Sequence, residues 1–314
     1  MMRFTDLPQE LADMIIDQLH GDTRSLKAAS LVSRFFLPRS QENLFELLTF
    51  SVAGASDANV TMKLREFLQQ NKHLACLVKT FCLQGAMSCR GRLQRYEWAT
   101  IDLVSLAEVT ALFPNLQCLD LGFVNVQSRN GPFEHMSELE DNQSWQPVRK
   151  PLRKLCMNDV LFVGEDALGI RTMLSVLDQY SPMYELECKR GLKWLLSFPT
   201  YNPYTRLNGR IESDKIPPAI RISHLTVATH TYLGVGILEC MRRSKHADEV
   251  QSVNLVYHGK EQLSMARIAL EALAYCHDFW ANGHVFVGFG SPVQHPHGNG
   301  LTRLGIKDVP HQVQ

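Results

Sequence analysis

The side chains with the greatest chemical reach in this 314-residue chain are eight cysteines and twelve histidines. Cys76, Cys82, Cys89, Cys118, Cys156, Cys188, Cys240 and Cys276 are scattered, with no Cys-x-x-Cys pair, so their spacing suggests neither a zinc ribbon nor a disulfide scaffold. They read as reduced core thiols, the usage of a cytosolic or nuclear protein. A histidine metal site gains no better support. His295 and His297 flank a proline in a polar stretch near the end, and HLAC, from His73 to Cys76, lacks two further ligands at suitable spacing. Neither a metal nor a cofactor is expected.

Two glycine motifs invite sharper chemistry. YLGVGILECM follows the strand-like HLTVAT and offers Gly234 and Gly236 in the setting where a dinucleotide fingerprint begins. The third glycine position holds Glu239, whose carboxylate would oppose a pyrophosphate, and no acidic residue closes VNLVYHG to meet a ribose, so a plain turn is the better reading. GFGSP, from Gly288 to Pro292, does not fit the nucleophile elbow, because Phe289 and Val293 stand where the motif around Ser291 needs glycine, which argues against that serine-hydrolase motif. No residue is therefore assigned a catalytic role, and the chain is read as non-enzymatic.

Charge narrows the partners. Lys plus Arg equals Asp plus Glu at 32 each, so no general field favours nucleic acid or an anionic membrane. The basic groups at Arg90, Arg92 and Arg95, and at Arg242, Arg243 and Lys245, are too short and isolated to track a phosphate backbone. No run of about 18 apolar residues could span a bilayer, and Asp6, Glu10 and Asp13 interrupt the start where a signal peptide needs an uncharged stretch. The expectation is a cytoplasmic or nuclear protein that binds neither nucleic acid nor membrane.

Three short helices are expected first. Pro8 suits an opening helical position and Glu10 its first turn. Leu11, Met14, Ile15 and Leu19 form one stripe, while Ala12 and Ile16 lie about 100° further round, so the helix is apolar on two adjoining sides. After the breaker at His20, Gly21 and Asp22, with Asp22 or Thr23 as cap, a second helix carries Leu26, Ala29, Leu31 and Val32, closed by Phe35 and Phe36. Pro38 ends it, and PRSQENLFELL opens a third helix with Leu44, Phe45 and Leu48 on its apolar side. About 45 residues bury too little surface for comfortable independent stability, so the surplus apolar area reads as an interface.

In order and spacing LPQEL, MII, LVSRFF and the closing LF resemble the F-box, over residues 5–48. Leu7 and Pro8 match the family's leading Leu-Pro, Leu11 and Ile15 its first-helix apolar positions, and Val32 the valine before its basic residue. Phe36 stands where tryptophan is usual and keeps an aromatic anchor. Ser33 stands where cysteine is common, and the loop after Leu19 is one residue longer. The resemblance implies docking on a Skp-type adaptor of a cullin-RING ubiquitin ligase through Leu7, Pro8, Leu11, Ile15, Ile16, Val32 and Phe36, with the rest of the chain selecting a protein target.

Beyond this unit one phrase recurs, apolar-x-x-apolar-x-apolar. It reads VKTFCL from Val78, LQCLDL from Leu116, LRKLCM from Leu152, ISHLTV from Ile222 and VQSVNL from Val250. The gap between the third and fourth is about twice the others, room for a further phrase degraded near Leu186 or Leu192. Helical patterns lie between, at Val60, Leu64, Phe67 and Leu68, at Ile170, Met173, Leu174 and Leu177, and at Leu263, Ala266, Leu270 and Leu273. The alternation resembles an irregular leucine-rich repeat array, and the resulting expectation is α/β: an F-box-like helical unit (1–48), a leucine-rich-repeat-like α/β solenoid (49–289) and a flexible tail (290–314). Segments 126–150 and 199–219, rich in Pro, Asn, Ser and charge, read as inserted surface loops.

Alternation along such strands would set Thr80 and Cys82, Cys118 and Asp120, Lys154 and Cys156, His224 and Thr226, and Ser252 and Asn254 on one open face. Thr80, Asp120, Lys154, His224, Thr226 and Asn254 are its candidate target-binding side chains. So mixed and nearly uncharged a surface suits a protein or peptide better than a phosphate or glycan, although these positions equally fit ordinary solvent-facing residues. A structural interaction protein with no ligase link is the alternative.

Overall fold

Each of the first three helices begins where the sequence supplies a starting residue. In the computed structural model, which describes residues 7–52, 58–85, 87–88, 95–96, 99–127, 149–163, 169–190, 217, 220–228, 237–238, 240–241, 244–246, 249–258, 284–290 and 303–304, Pro8 caps α1 (Gln9–Asp17). Asp22 caps α2 (Thr23–Val32) by accepting the Arg24 and Ser25 backbone N–H groups, both at 3.1 Å. Pro38 opens α3 (Leu37–Phe45), which packs on both earlier helices. Its end differs from expectation: Leu48 belongs not to the helix but to β1 (Leu47–Val52), because LLTFSV alternates and pairs with the next strand. The sheet thus begins inside the segment expected to be wholly helical.

The remaining elements follow as α4 (Ala58–Gln70), α5 (Lys72–Ala75), β2 (Thr80–Gly85), β3 (Met87–Ser88), β4 (Arg95–Tyr96), β5 (Ala99–Asp102), α6 (Leu103–Ala111) and β6 (Cys118–Gln127). Then come β7 (Lys154–Val163), α7 (Ile170–Tyr180), β8 (Met183–Arg190), β9 (Ile222–Ala228), β10 (Ser252–His258), β11 (His284–Gly290) and β12 (Arg303–Leu304). The fold is α/β with one mostly parallel open sheet, ordered β1-β2-β6-β7-β8-β9-β10-β11-β12, and every pair from β1 to β11 is parallel. Each principal strand lies beside its predecessor in the chain. β3 and β4 form a separate antiparallel pair. β12 pairs antiparallel with β11, so part of the expected flexible tail is strand.

Parallel neighbours require long crossovers, and α4, α6 and α7 occupy three of them. The inner face is a ladder in register: Leu48, Phe81, Leu119, Leu155, Leu186, Leu225 and Val253 lie side by side across seven strands. Except for partly buried Leu48, these residues are almost wholly buried, and they belong to one continuous core with Leu106 and Val109 of α6 and Met173, Val176 and Leu177 of α7. Tyr180 ties the two helices together, its hydroxyl 3.1 Å from that of Thr110. Lys150 donates to the Thr110 carbonyl at 2.7 Å and to that of Phe113, closing the end of α6.

β6 and β7 share a kink. Phe123 and Asp159 both have φ of 54°, the left-handed region that side chains disfavour. Pairing runs Gly122 with Asn158 and resumes at Val124 with Val160, so the kinks lie at one level. Each shifts the alternation by one residue: Leu119 and Leu121 point inward before it, Val124 and Val126 after it. Past the kink β6 pairs with β5, where β2 has already ended.

Gly234, Gly236, Ser291, the histidines of HPH, Arg90, Arg92, Arg242, Arg243 and the helix expected at Leu263–Leu273 lie outside the described residues, as does most of the two expected loop insertions. Gly288 and Gly290 are strand residues of β11. Among the described residues no helix is long and apolar enough to cross a membrane.

Candidate functional site

Two surfaces carry the residues singled out by sequence. The first is formed by α1 and α2. Ala12 and Ile16 face inward from α1, and Leu26 from α2. Ile16, expected on the binding face, is only 3% exposed and serves helix packing instead. Leu11 and Ile15 are exposed, as are Met14 at 61%, Leu31 at 87% and Val32 at 74%. Pro8 is exposed, while Leu7 and Phe36 are partly buried, Phe36 standing edge-on to Phe35 with ring centres 5.6 Å apart. Of α1's two apolar sides, the fold takes the narrower one, built on Ala12 and Ile16, and leaves the other to solvent.

An ion pair sets the pose of this unit. Arg39 of α3 meets both carboxylate oxygens of Asp17, at 2.6 and 2.7 Å, and Asn43 adds a hydrogen bond at 3.0 Å. The Arg39 guanidinium holds the Asp17 carboxyl down at about 2. Gln9 reaches from the start of α1 to the Phe35 carbonyl at 3.4 Å, so the helix is tethered at both ends.

The second surface is the sheet face opposite the ladder. Register places Thr80, Cys118, Lys154, Glu185, His224 and Ser252 in one row, and Cys82, Asp120, Cys156, Glu187, Thr226 and Asn254 in the next. All six expected target-binding residues, Thr80, Asp120, Lys154, His224, Thr226 and Asn254, therefore share this face. Sequence reading missed Glu185 and Glu187, whose strand β8 fell in the double-length gap. They correct the expected charge: Lys154 bridges Glu185 at 2.8 Å and Glu187 at 3.0 Å, giving a charged centre where a nearly uncharged surface was expected. Burial works against the Lys154 ammonium, but its bonds to both glutamates outweigh this and hold it protonated beyond the ordinary lysine range.

Around that centre Asp120 accepts from Asn158 at 3.2 Å, and the Cys82 thiol lies 3.9 Å from its other oxygen. His224 Nδ1 is 2.6 Å from the Ser252 hydroxyl, with its ring edge-on to Tyr184 at 4.4 Å between centres. At the leading ends of the strands a groove of about 290 Å³ opens, lined by Glu46, Lys79, Cys118, Arg153, Lys154 and Glu185 among others. Among the described residues no group of three or more His, Cys, Asp or Glu side chains is placed to hold a metal ion.

No protein-family model matches the chain, and a search of curated proteins finds no relative. The functional reading therefore rests on the residues themselves.

Proposed function

We propose that the chain is a non-enzymatic substrate receptor, in which an F-box-like unit of α1 to α3 docks a Skp-type adaptor of a cullin-RING ubiquitin ligase. In this reading the strand-and-helix array is an irregular leucine-rich-repeat-like solenoid whose open face holds a protein target. The chain would act by raising target concentration near the ligase, which takes affinity and geometry but no reactive side chain. Its working place would be the cytoplasm or nucleus.

The observation that carries the reading is the outward apolar side of α1 together with the end of α2. Leu11, Met14, Ile15, Leu31 and Val32 are large, apolar and exposed in a unit with few buried side chains of its own. Large exposed apolar side chains concentrated on two short helices point to an interaction role, and the strings LPQEL and LVSRFF indicate which partner class to try first. Strand order supports the second half, since consecutive parallel strands with one apolar ladder inward set the candidate target-binding side chains in two rows on the opposite face.

The test is direct binding of the full chain to a purified Skp-type adaptor. Wild type is expected to bind, and joint replacement of Ile15→Asp and Val32→Asp to weaken binding at least ~30-fold, because charges in a desolvated interface cost about 2 kcal/mol or more. Circular dichroism of the variant should match wild type, since both positions are exposed. A wild-type chain that fails to bind removes the reading.

A further inference from the structure

Among the described residues β1 pairs with β2 alone, so its other side is a free edge of the sheet. The register shows which groups face that edge. Leu47 stands beside Thr80, and the Thr80 N–H donates to the Glu46 carbonyl at 2.9 Å. A parallel ladder engages every second residue, so β1 bonds β2 through Glu46, Leu48 and Phe50. Leu47, Thr49 and Ser51 therefore turn both N–H and C=O outward, and their side chains are exposed, Leu47 at 54%. Strand edges are ordinarily guarded by charge, proline or a bulge. LLTFSV has none of these, and its pairing with β2 runs without a shift. At the far end the sheet closes on β12, only two residues long and including Arg303.

We propose that β1 is a homodimerisation edge, where two copies of this chain join their sheets by antiparallel pairing of β1 with β1 about a twofold axis at Thr49. The inference stands apart from the adaptor reading, because it uses the edge of β1 and not the exposed side of α1 and α2.

Self-complementarity commits the edge to a second copy. Directly opposed residues of antiparallel strands exchange both backbone bonds at alternate positions. An axis at Thr49 sets that residue against its own copy and Leu47 against Ser51 of the second copy, so every outward N–H and C=O of the three residues gains a partner. A shift of two residues either way sets Leu47 or Ser51 against a residue beyond the strand. The same register serves the inner face. Leu48 and Phe50, left only partly buried against the core, come to lie opposite each other across the axis. Opposed apolar pairs and opposed threonines both stabilise strand pairing, and LLTFSV brings no like charges together. The interface is isologous, as a closed twofold dimer requires.

The experiment is sedimentation of the full chain, whose mass is expected to double as concentration rises from about 1 to about 100 μM, the range of a small interface. Thr49→Lys sets two ammonium groups face to face at the axis and should weaken the dimer at least ~10-fold, as should Thr49→Asp with two carboxylates. Mixing the two variants should restore it, because opposite charges then meet. A wild-type chain that stays monomeric, a dimer that Thr49→Lys leaves intact, a mixture that stays monomeric, or a dimer dissolved by joint Ile15→Asp and Val32→Asp overturns the proposal. Should the variants fail to fold, amide exchange of the wild type decides. On dilution the Leu47, Thr49 and Ser51 N–H groups are expected to lose protection while those of Leu48 and Phe50 keep it, and protection independent of concentration overturns the proposal as well.

Discussion

Asp17 links two helices through one exposed ion pair with Arg39. Its carboxyl, held at about 2 by Arg39, lies below the ordinary value of about 3.9, so its contribution to stability is complete above about pH 4 and fades as pH falls towards 2. The pair is more than a third exposed, so screening keeps that contribution under about 1 kcal/mol. Amide exchange in α1 is expected to quicken between pH 4 and pH 2 relative to an Asp17→Asn variant, which has already lost the charge. Phe81 lies at the opposite extreme of burial, wholly enclosed, its ring 5.0 Å from that of Phe113. Phe81→Ala should cost about 3–5 kcal/mol in denaturant unfolding, as an emptied aromatic site does.

At the scale of elements, caps and joints carry the sharpest consequences. Asp22→Ala removes the acceptor for two N–H groups of α2 and should cost about 1 kcal/mol by thermal or denaturant melt. Gly169 precedes α7 with φ of 62°, and a Cβ there would stand 2.2 Å from the Phe162 carbonyl oxygen. Since backbone must move to admit it, Gly169→Ala should destabilise by about 2 kcal/mol or more in the same assay. Strands with strong local signals were legible: LQCLDL became β6 and LRKLCM became β7, with Leu119 and Leu155 in the ladder as their phrases require. The degraded phrase expected near Leu186 is MYELEC, hidden because a cysteine ends it and two glutamates fill the outward positions. FELLTF hid in the same way behind a helical pattern that runs into it. α6 was missed because apolar residues cover nearly all its circumference, as a buried helix requires, which erases periodicity. On the candidate sites, the six open-face residues followed from alternation alone, whereas Glu185 and Glu187 depended on finding β8, and the inward turn of Ile16 depended on how α1 packs.

Taken whole, the molecule is a row of strands sharing one core from Val52 to Val253. A central defect should therefore cost more than one at the edge. Leu119→Ala, fully buried between two neighbouring strands, is expected to lose about 2–5 kcal/mol, and Leu48→Ala, on edge strand β1, clearly less, by denaturant titration of each variant. The stacked bends at Phe123 and Asp159 have a different reach. Straightening one strand alone would slip its far half by a residue against the other, setting Val124 and Val160 on opposite sides. A change that straightens the chain at either position is therefore expected to destabilise the fold by itself and to be offset by the matching change in its counterpart, read as a coupling between single and double variants in denaturant unfolding.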